Sequence, residues 1–260
     1  METFSISIII PILNEESTIG ELLHHLFKNS SPQNIVEIIV VDGGSADNSK
    51  QIVNSFVTSS DSDTTESYRE LKGLDTFLQS KNTRPDIRML DSGKGRAKQM
   101  NFGAKQAKGN VLYFLHADSF PPKHFDKLII EHVEKGYLAG CFKMKFDSNH
   151  WWLKLSGWFT QFNWKICRGG DQSQFITKAL FNNIGGFDER FVVYEDNDLI
   201  DKLYGRKQFK VIQEWIITSP RRYHSNGIWK LQYHFCVLHF KKWFGASADE
   251  IWAYYKKNIG

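Results

Sequence analysis

The residues with most chemistry to offer stand in three short loops, each at the end of an apolar run. Pro11-Ile12-Leu13-Asn14-Glu15-Glu16 closes the run Ser5–Ile12, and Asp42-Gly43-Gly44-Ser45-Ala46-Asp47 follows Ile35–Val41. His116-Ala117-Asp118-Ser119 follows Val111–Leu115. Carboxylates brought to one edge repel one another unless a cation or a ligand rich in donors sits among them. As a set, these loops predict a binding site for such a group. Taken singly they have a plainer reading, because Asp42 and Ser45 also suit a turn with a helix cap.

The elements between the loops decide whether they meet. Ser5–Ile12 and Ile35–Val41 read as strands, and Glu15–Lys28 and Ala46–Val57 as helices, the first with Ile19, Leu22, Leu23 and Leu26 on one face. Ile87–Leu90 and Val111–Leu115 read as further strands, with a helix over Arg96–Lys108 between them. Near-continuous apolar strands alternating with helices indicate an α/β fold, a mostly parallel sheet flanked by helices. In such a sheet ligands bind at the carboxyl ends of the strands, where these loops lie.

Thr58–Ser67 holds seven Ser or Thr and no large hydrophobe, so 58–86 reads as a flexible insertion, with a short helix over Arg69–Ser80. Domain organisation is expected as 1–225 for the main domain and 226–260 for a helical extension packed on it.

Composition narrows the class. The chain has 260 residues, 41% hydrophobic and 24% charged, as an ordinary globular chain does. Cys141, Cys167 and Cys236 are far apart, which argues against a zinc ribbon, a redox pair or a disulfide scaffold and suits a reducing, cytoplasmic setting. The start lacks the features of a signal peptide, and no run of about 18 apolar residues predicts a membrane span. Hydride transfer on a dinucleotide fold needs glycines after the first strand, where this chain has Asn14-Glu15-Glu16; a P-loop is absent as well.

Five motifs in order resemble one family. Ser7–Glu16 and Val41–Asp47 are similar to the opening of family 2 glycosyltransferases of GT-A fold. Gly93-Lys94-Gly95-Arg96-Ala97-Lys98-Gln99-Met100-Asn101, His116-Ala117-Asp118 and Gly169-Gly170-Asp171-Gln172 resemble a bacterial subfamily associated with radical-SAM and selenodomain proteins. Gly185-Gly186-Phe187-Asp188 followed by Glu195-Asp196 completes the pattern, which covers nearly all of the chain except 58–86.

The resemblance implies transfer of a sugar from a nucleotide-diphosphate donor, a UDP-sugar foremost, with inversion. It implies nucleoside contacts at Pro11, Asn14, Glu15 and Asp42, where carboxylates accept from ribose hydroxyls and base N–H groups. Gly95, Arg96 and Asn101 are expected at the base or phosphates, Arg96 through its planar fork of donors. The family's Asp-x-Asp metal motif is His116-Ala117-Asp118 here, so Asp118 is kept as ligand of Mg²⁺ or Mn²⁺. His116 is either a second ligand, favouring Mn²⁺, or a hydrogen-bond partner of phosphate or sugar. His224 is the candidate late histidine ligand. An inverting reaction needs a base for the acceptor hydroxyl. The family's position for it is the acidic pair, with Asp196 as base and Glu195 supporting, although acids at a helix start are also plain capping. Asp171, Gln172, Arg221 and Arg222 are expected to line the sugar and acceptor pocket. The rival is a nucleotide-sugar binding protein of the same fold without turnover.

The C-terminal half differs in character. Residues 202–260 carry a net charge of +8 against −4 for the rest, and all eight tryptophans lie between Trp151 and Trp252. No RNA- or DNA-binding signature accompanies them. Trp151, Trp152, Leu155, Trp158, Phe159 and Phe162 recur at helical spacing, and Ile228–Phe244 mixes aromatics with Lys230, Lys241 and Lys242. Two readings stay open: a core or homodimer interface, or attachment to the anionic inner face of a membrane.

Overall fold

The computed structural model describes residues 3–58, 85–206 and 208–259. The expected insertion and the helix over Arg69–Ser80 lie outside the described residues, apart from the insertion's edges. The first half follows the alternation read from the sequence. It runs β1 (Ile6–Ile12), α1 (Ile19–Asn29), β2 (Ile35–Asp42), α2 (Ser49–Thr58), β3 (Asp86–Asp91), α3 (Arg96–Gln106) and β4 (Val111–Phe114). Two helices start later than expected. The backbone N–H groups of Thr18 and Ile19 donate to Glu15 O in a turn that delays α1, and Asp47 accepts from Ser49 N ahead of α2.

The second half carries β5 (Ser119–Phe120), α4 (Phe125–Glu134), β6 (Ala139–Phe146), α5 (Trp151–Phe159), β7 (Gln174–Thr177), α6 (Lys178–Asn183), α7 (Glu195–Tyr204) and β8 (Phe209–Thr218). Three further helices follow: α8 (Arg221–Asn226), α9 (Ile228–Trp243) and α10 (Ala248–Asn258). The strand order is β3-β2-β1-β4-β7-β6-β8-β5. The four strands expected from the sequence pair in parallel. Beyond β4 the pairing changes: β7 is antiparallel to both β4 and β6, β6 runs parallel to β8, and β5 is antiparallel to β8. The sheet as a whole is therefore mixed.

Alternation along β1 divides the core into two layers. Ile6, Ile8, Ile10 and Ile12 face Leu22, Leu23, Leu26 and Phe125, whereas Ile9 faces Ala97, Met100 and Leu199 on the other side of the sheet. Gly103 lets α3 approach closely, because a Cβ there would stand 2.6 Å from the Ile9 side chain. Pro11 is buried opposite Val41, beyond the β1–β4 pairing that ends at Ile9, so its missing N–H interrupts no ladder. A third, smaller cluster joins Phe191 to Leu238 and Ile251, seating α9 and α10 beside the segment that leads into α7.

Candidate active site

The first two loops interlock before they meet any ligand. Asn14, in the left-handed region at φ 57°, donates its N–H to Ser45 Oγ at 2.9 Å and accepts from Ala46 N at 2.8 Å. Glu15 N donates to Ser49 Oγ and Glu16 N to Asp47 Oδ2. Asp42 is buried and accepts from Gly44 N, Ser45 N and Ser45 Oγ, with Lys50 Nζ at 3.5 Å. Burial works against its charge, but these donors hold its carboxyl below the usual range. The loop displays the turn reading of Asp42 and Ser45 but not the cap, since α2 begins only at Ser49 behind Asp47, and the Asn14 amide oxygen is committed to the same scaffold. Pro11 is likewise part of the sheet.

Gln99 ties these loops to α3, and sequence reasoning gave it no role. Its amide donates to Ile12 O at 2.8 Å and to Val41 O at 2.7 Å, clamping the ends of β1 and β2. The signal available was a polar residue at 2% exposure among the apolar positions of α3, visible in a sequence only as an oddity. Gly95, at φ 135°, caps the same helix and turns the chain into it.

Arg96 then points across the sheet edge. Its Nε lies 2.7 Å from Glu195 Oε1, joining the head of α3 to the head of α7. Glu195 is fully buried and Asp196 nearly so. His116 stands between two carboxylates, with Nε2 3.9 Å from Asp196 Oδ2 and Nδ1 3.9 Å from Asp171 Oδ1. On the outer side of the same region, Arg221 Nη2 reaches Glu15 Oε1 at 2.8 Å and Oε2 at 3.0 Å.

Charge links these residues into one group. Burial pushes Glu195 up to about 7 against the pull of Arg96, and Asp196 up to about 6 in the same way. Burial disfavours a charged Arg96, yet Glu195, Asp196 and Asp171 outweigh it and raise its pKa. Burial and then Arg96 lower the His116 imidazole below its ordinary value. Asp118 is raised by burial foremost, and also by the Asp171 and Glu15 carboxylates, with His116 and Arg221 opposing. Carboxylates held above their ordinary range beside cationic groups are half of an ion-binding or acid–base site.

Among the described residues, no three His, Cys, Asp or Glu side chains form a ready-made metal cluster. The donor set nevertheless suits a divalent cation that brings further oxygens with it. Asp118 feels the Asp171 and Glu15 carboxylates, with His116 and Arg221 opposing them, and a cation would relieve that repulsion.

Several expected site residues are engaged elsewhere. Asn101 donates to Phe187 O at 2.9 Å and accepts from Phe187 N at 3.0 Å, so it pins the Gly185–Asp188 turn. Gln172 is buried and accepts from Gly169 N, shaping its own loop. Arg222 donates to Tyr255 Oη and lies 5.6 Å from the Phe235 ring centroid, which places it in the packing of α9 and α10. His224 lies on α8, exposed, and its backbone N–H donates to Pro220 O. Asp171 remains half-exposed beside His116.

A mixed sheet with interlocked loops at one end and buried acids at a helix head defines a GT-A-like fold. Residues 7–188 match the Glycosyl transferase family 2 model, and the chain belongs to that family of transferases. "Probable glycosyltransferase YdaM" of Bacillus subtilis (strain 168) is 25% identical over 215 residues, 76% of this chain and 46% of that protein. The poly(ribitol-phosphate) beta-N-acetylglucosaminyltransferase TarS of Staphylococcus aureus (strain Mu50 / ATCC 700699) is 32% identical over 114 residues, 44% of this chain and 16% of TarS. The chain thus spans less than half the length of these curated relatives. The crystal structure of S. aureus TarS 1-349 in complex with UDP has a TM-score of 0.62 at 21% identity, covering 83% of this chain and 60% of that one. Mannosyltransferase PcManGT from Pyrobaculum calidifontis, in complex with GDP-Man and Mn²⁺, has a TM-score of 0.63 at 15% identity, covering 95% and 66%.

Proposed function

We propose that the chain is an inverting, metal-dependent glycosyltransferase that takes its sugar from a nucleoside-diphosphate donor, a UDP-sugar foremost. The observation that carries this reading is the buried Glu195–Asp196 pair, facing Arg96 and His116 at the sheet edge. Burial raises the basicity of Asp196, so it accepts a proton from an acceptor hydroxyl more readily than an exposed aspartate. Glu195, neutralised by Arg96, orients that acceptor. Arg96 and Arg221 supply positive charge beside the acids. Arg221 is free to exchange its Glu15 partner for phosphate oxygens, which a guanidinium fork binds well. Mg²⁺ or Mn²⁺ held by Asp118, with His116 beside it, would offset charge on the departing nucleoside diphosphate.

We read residues 1–225 as the transferase domain and 226–260 as a helical extension. The Tyr194–His239 and Arg222–Tyr255 hydrogen bonds between them support the packing of the extension on the domain. The narrower radical-SAM-associated subfamily is supported by the Gly93–Asn101 and Gly169–Gln172 motifs. Free cysteines suit the cytoplasm, and the basic aromatic half suits work at the inner face of a membrane, on an acceptor held there.

The test is a panel of UDP, GDP and dTDP with and without Mn²⁺ or Mg²⁺, read as thermal stabilisation and donor hydrolysis. At one hundred times its dissociation constant the right nucleotide stabilises by about 2.7 kcal/mol. Asp118→Ala is expected to remove the metal-dependent share. Unchanged melting across the panel sinks the nucleotide-diphosphate reading, while stabilisation without hydrolysis or transfer to any acceptor favours a binding protein without turnover.

A further inference from the structure

Two helices of this protein are turned inside out. On α5, Trp151, Leu155 and Trp158 fall on one side and face solvent, while the side against the sheet offers Leu153 and Gly157. On α9, Trp229, Tyr233, Phe240 and Trp243 share one face and each is more than half exposed, while only Leu231 and Leu238 are buried. The sequence reading of these stripes as core or homodimer contact fails as core for these outward residues, while Leu238 is core as read. The two faces are continuous, because Trp229 meets Trp151 at 5.9 Å and Trp152 at 5.2 Å between ring centroids. At the far end of α9, Phe244 is 84% exposed and extends the surface.

Charge selects the occupant. Neither 148–170 nor 215–248 contains an Asp or Glu, and together they carry eight Lys or Arg. Of these, Arg168 is buried, Lys165 and Arg221 pair with Asp201 and Glu15, and Arg222 packs on Tyr255, which leaves Lys154, Lys230, Lys241 and Lys242. Lys154 and Lys230 are exposed beside the aromatic stripes. A second copy of the chain laid on this face would set one basic rim against another, which like-charge repulsion disfavours. An anionic surface meets no such cost. Trp and Tyr, with apolar rings and one polar atom, are also the side chains that settle at the boundary between headgroups and acyl chains. No helix among the described residues is long and apolar enough to cross a bilayer, so this is a lying surface and not a span.

We propose that the outward faces of α5 and α9 form one platform that docks reversibly on anionic phospholipid, with the tryptophans inserted at the headgroup boundary and Lys154 and Lys230 on the phosphates. The platform adds to the proposed transferase the lipid chemistry it rests on and the residues that rest there. It is independent of the donor chemistry, so vesicle binding and nucleotide-induced stabilisation succeed or fail separately.

The full chain is sedimented with phosphatidylcholine vesicles and with vesicles that also contain phosphatidylglycerol, at low and high salt. Pelleting is expected only with the anionic vesicles and is expected to weaken as salt rises. Lys154→Gln and Lys230→Gln should each lower the partition coefficient about five-fold. Trp158→Ser with Trp243→Ser should abolish pelleting at an unchanged melting temperature, and tryptophan emission of the parent should shift to the blue on vesicles. Equal pelleting on neutral vesicles overturns the role of charge. No pelleting on anionic vesicles at low salt overturns the proposal, and a dimer by light scattering that the Trp variants dissolve would then assign the face to a second copy.

Discussion

Arg96 sets its Nε 2.7 Å from the Glu195 carboxylate and so ties the head of α3 to the head of α7. Glu195 is fully buried and neither of its oxygens has a well-aligned hydrogen bond, so the guanidinium is what makes its charge tolerable. Arg96→Ala is expected to destabilise the fold by about 2–4 kcal/mol, less than a fully enclosed pair because the arginine is 35% exposed. Arg96→Ala combined with Glu195→Gln should recover most of that loss. Urea unfolding of the single and double variants measures it, and equal losses in both would show that the carboxylate never depended on the arginine.

The same burial predicts a pH dependence. A carboxyl raised above its unfolded value stabilises the fold in its protonated form. That contribution is complete below the ordinary carboxylate range and is lost as pH climbs through about 6 to 7. His116, held low, works in the opposite sense, since its contribution is lost as pH falls below the unfolded value. The difference between parent and Glu195→Gln isolates the acid. From about pH 5 to about pH 8 the variant should gain on the order of 1–3 kcal/mol relative to the parent, without metal or nucleotide. Parallel stability curves for the two proteins would contradict the raised carboxyl.

Gln99→Glu is a test of the clamp at the strand ends. A carboxylate cannot donate to the Ile12 and Val41 carbonyls that the amide bridges, and it would place charge against them. The expected cost is about 1–3 kcal/mol for each orphaned contact. Because those carbonyls anchor the Asn14 and Asp42 loops, UDP affinity should fall alongside stability. A variant with normal melting and normal affinity would reduce Gln99 to a bystander.

Asp196→Asn should lower transfer by roughly 10²–10⁴ while leaving nucleotide stabilisation intact, because the amide keeps the shape and loses the proton acceptor. Single-turnover transfer paired with a UDP melt separates the two effects. Turnover that survives in this variant would move the base to Glu195 or Asp171.

How far the site was legible follows from what each residue is bonded to. β1 and β2 announced themselves because SIIIPI and IVEIIVV are apolar but for Ser7 and the single Glu37, and Leu22, Leu23 and Leu26 gave α1 its period. β6 and β8 did not, since AGCFKMKF and FKVIQEWIIT carry lysine and glutamate on a half-exposed flank of the sheet. The helix behind the acidic pair read well because Leu199, Ile200 and Leu203 marked its buried face. Asn101 and Arg222 looked like ligand contacts by type, and only geometry reveals that Phe187 and Tyr255 have claimed them. The outward aromatic faces were illegible in principle, because a helical stripe of tryptophan looks the same whether it turns to core or to solvent.

The strand order also has a cost during biosynthesis. β1 lies between β2 and β4, and its pairing with β4 runs from Ile6 opposite Val111 to Ile9 opposite Phe114. A ribosome releasing about 5–20 residues per second leaves that side of Ile6–Ile12 without its partner for roughly 5–20 s after the strand appears. For that interval an apolar strand with no acid or lysine presents an open edge, the kind that recruits neighbouring nascent chains. Yield in cells should therefore depend on chaperone supply more than the stability of the finished sheet would suggest.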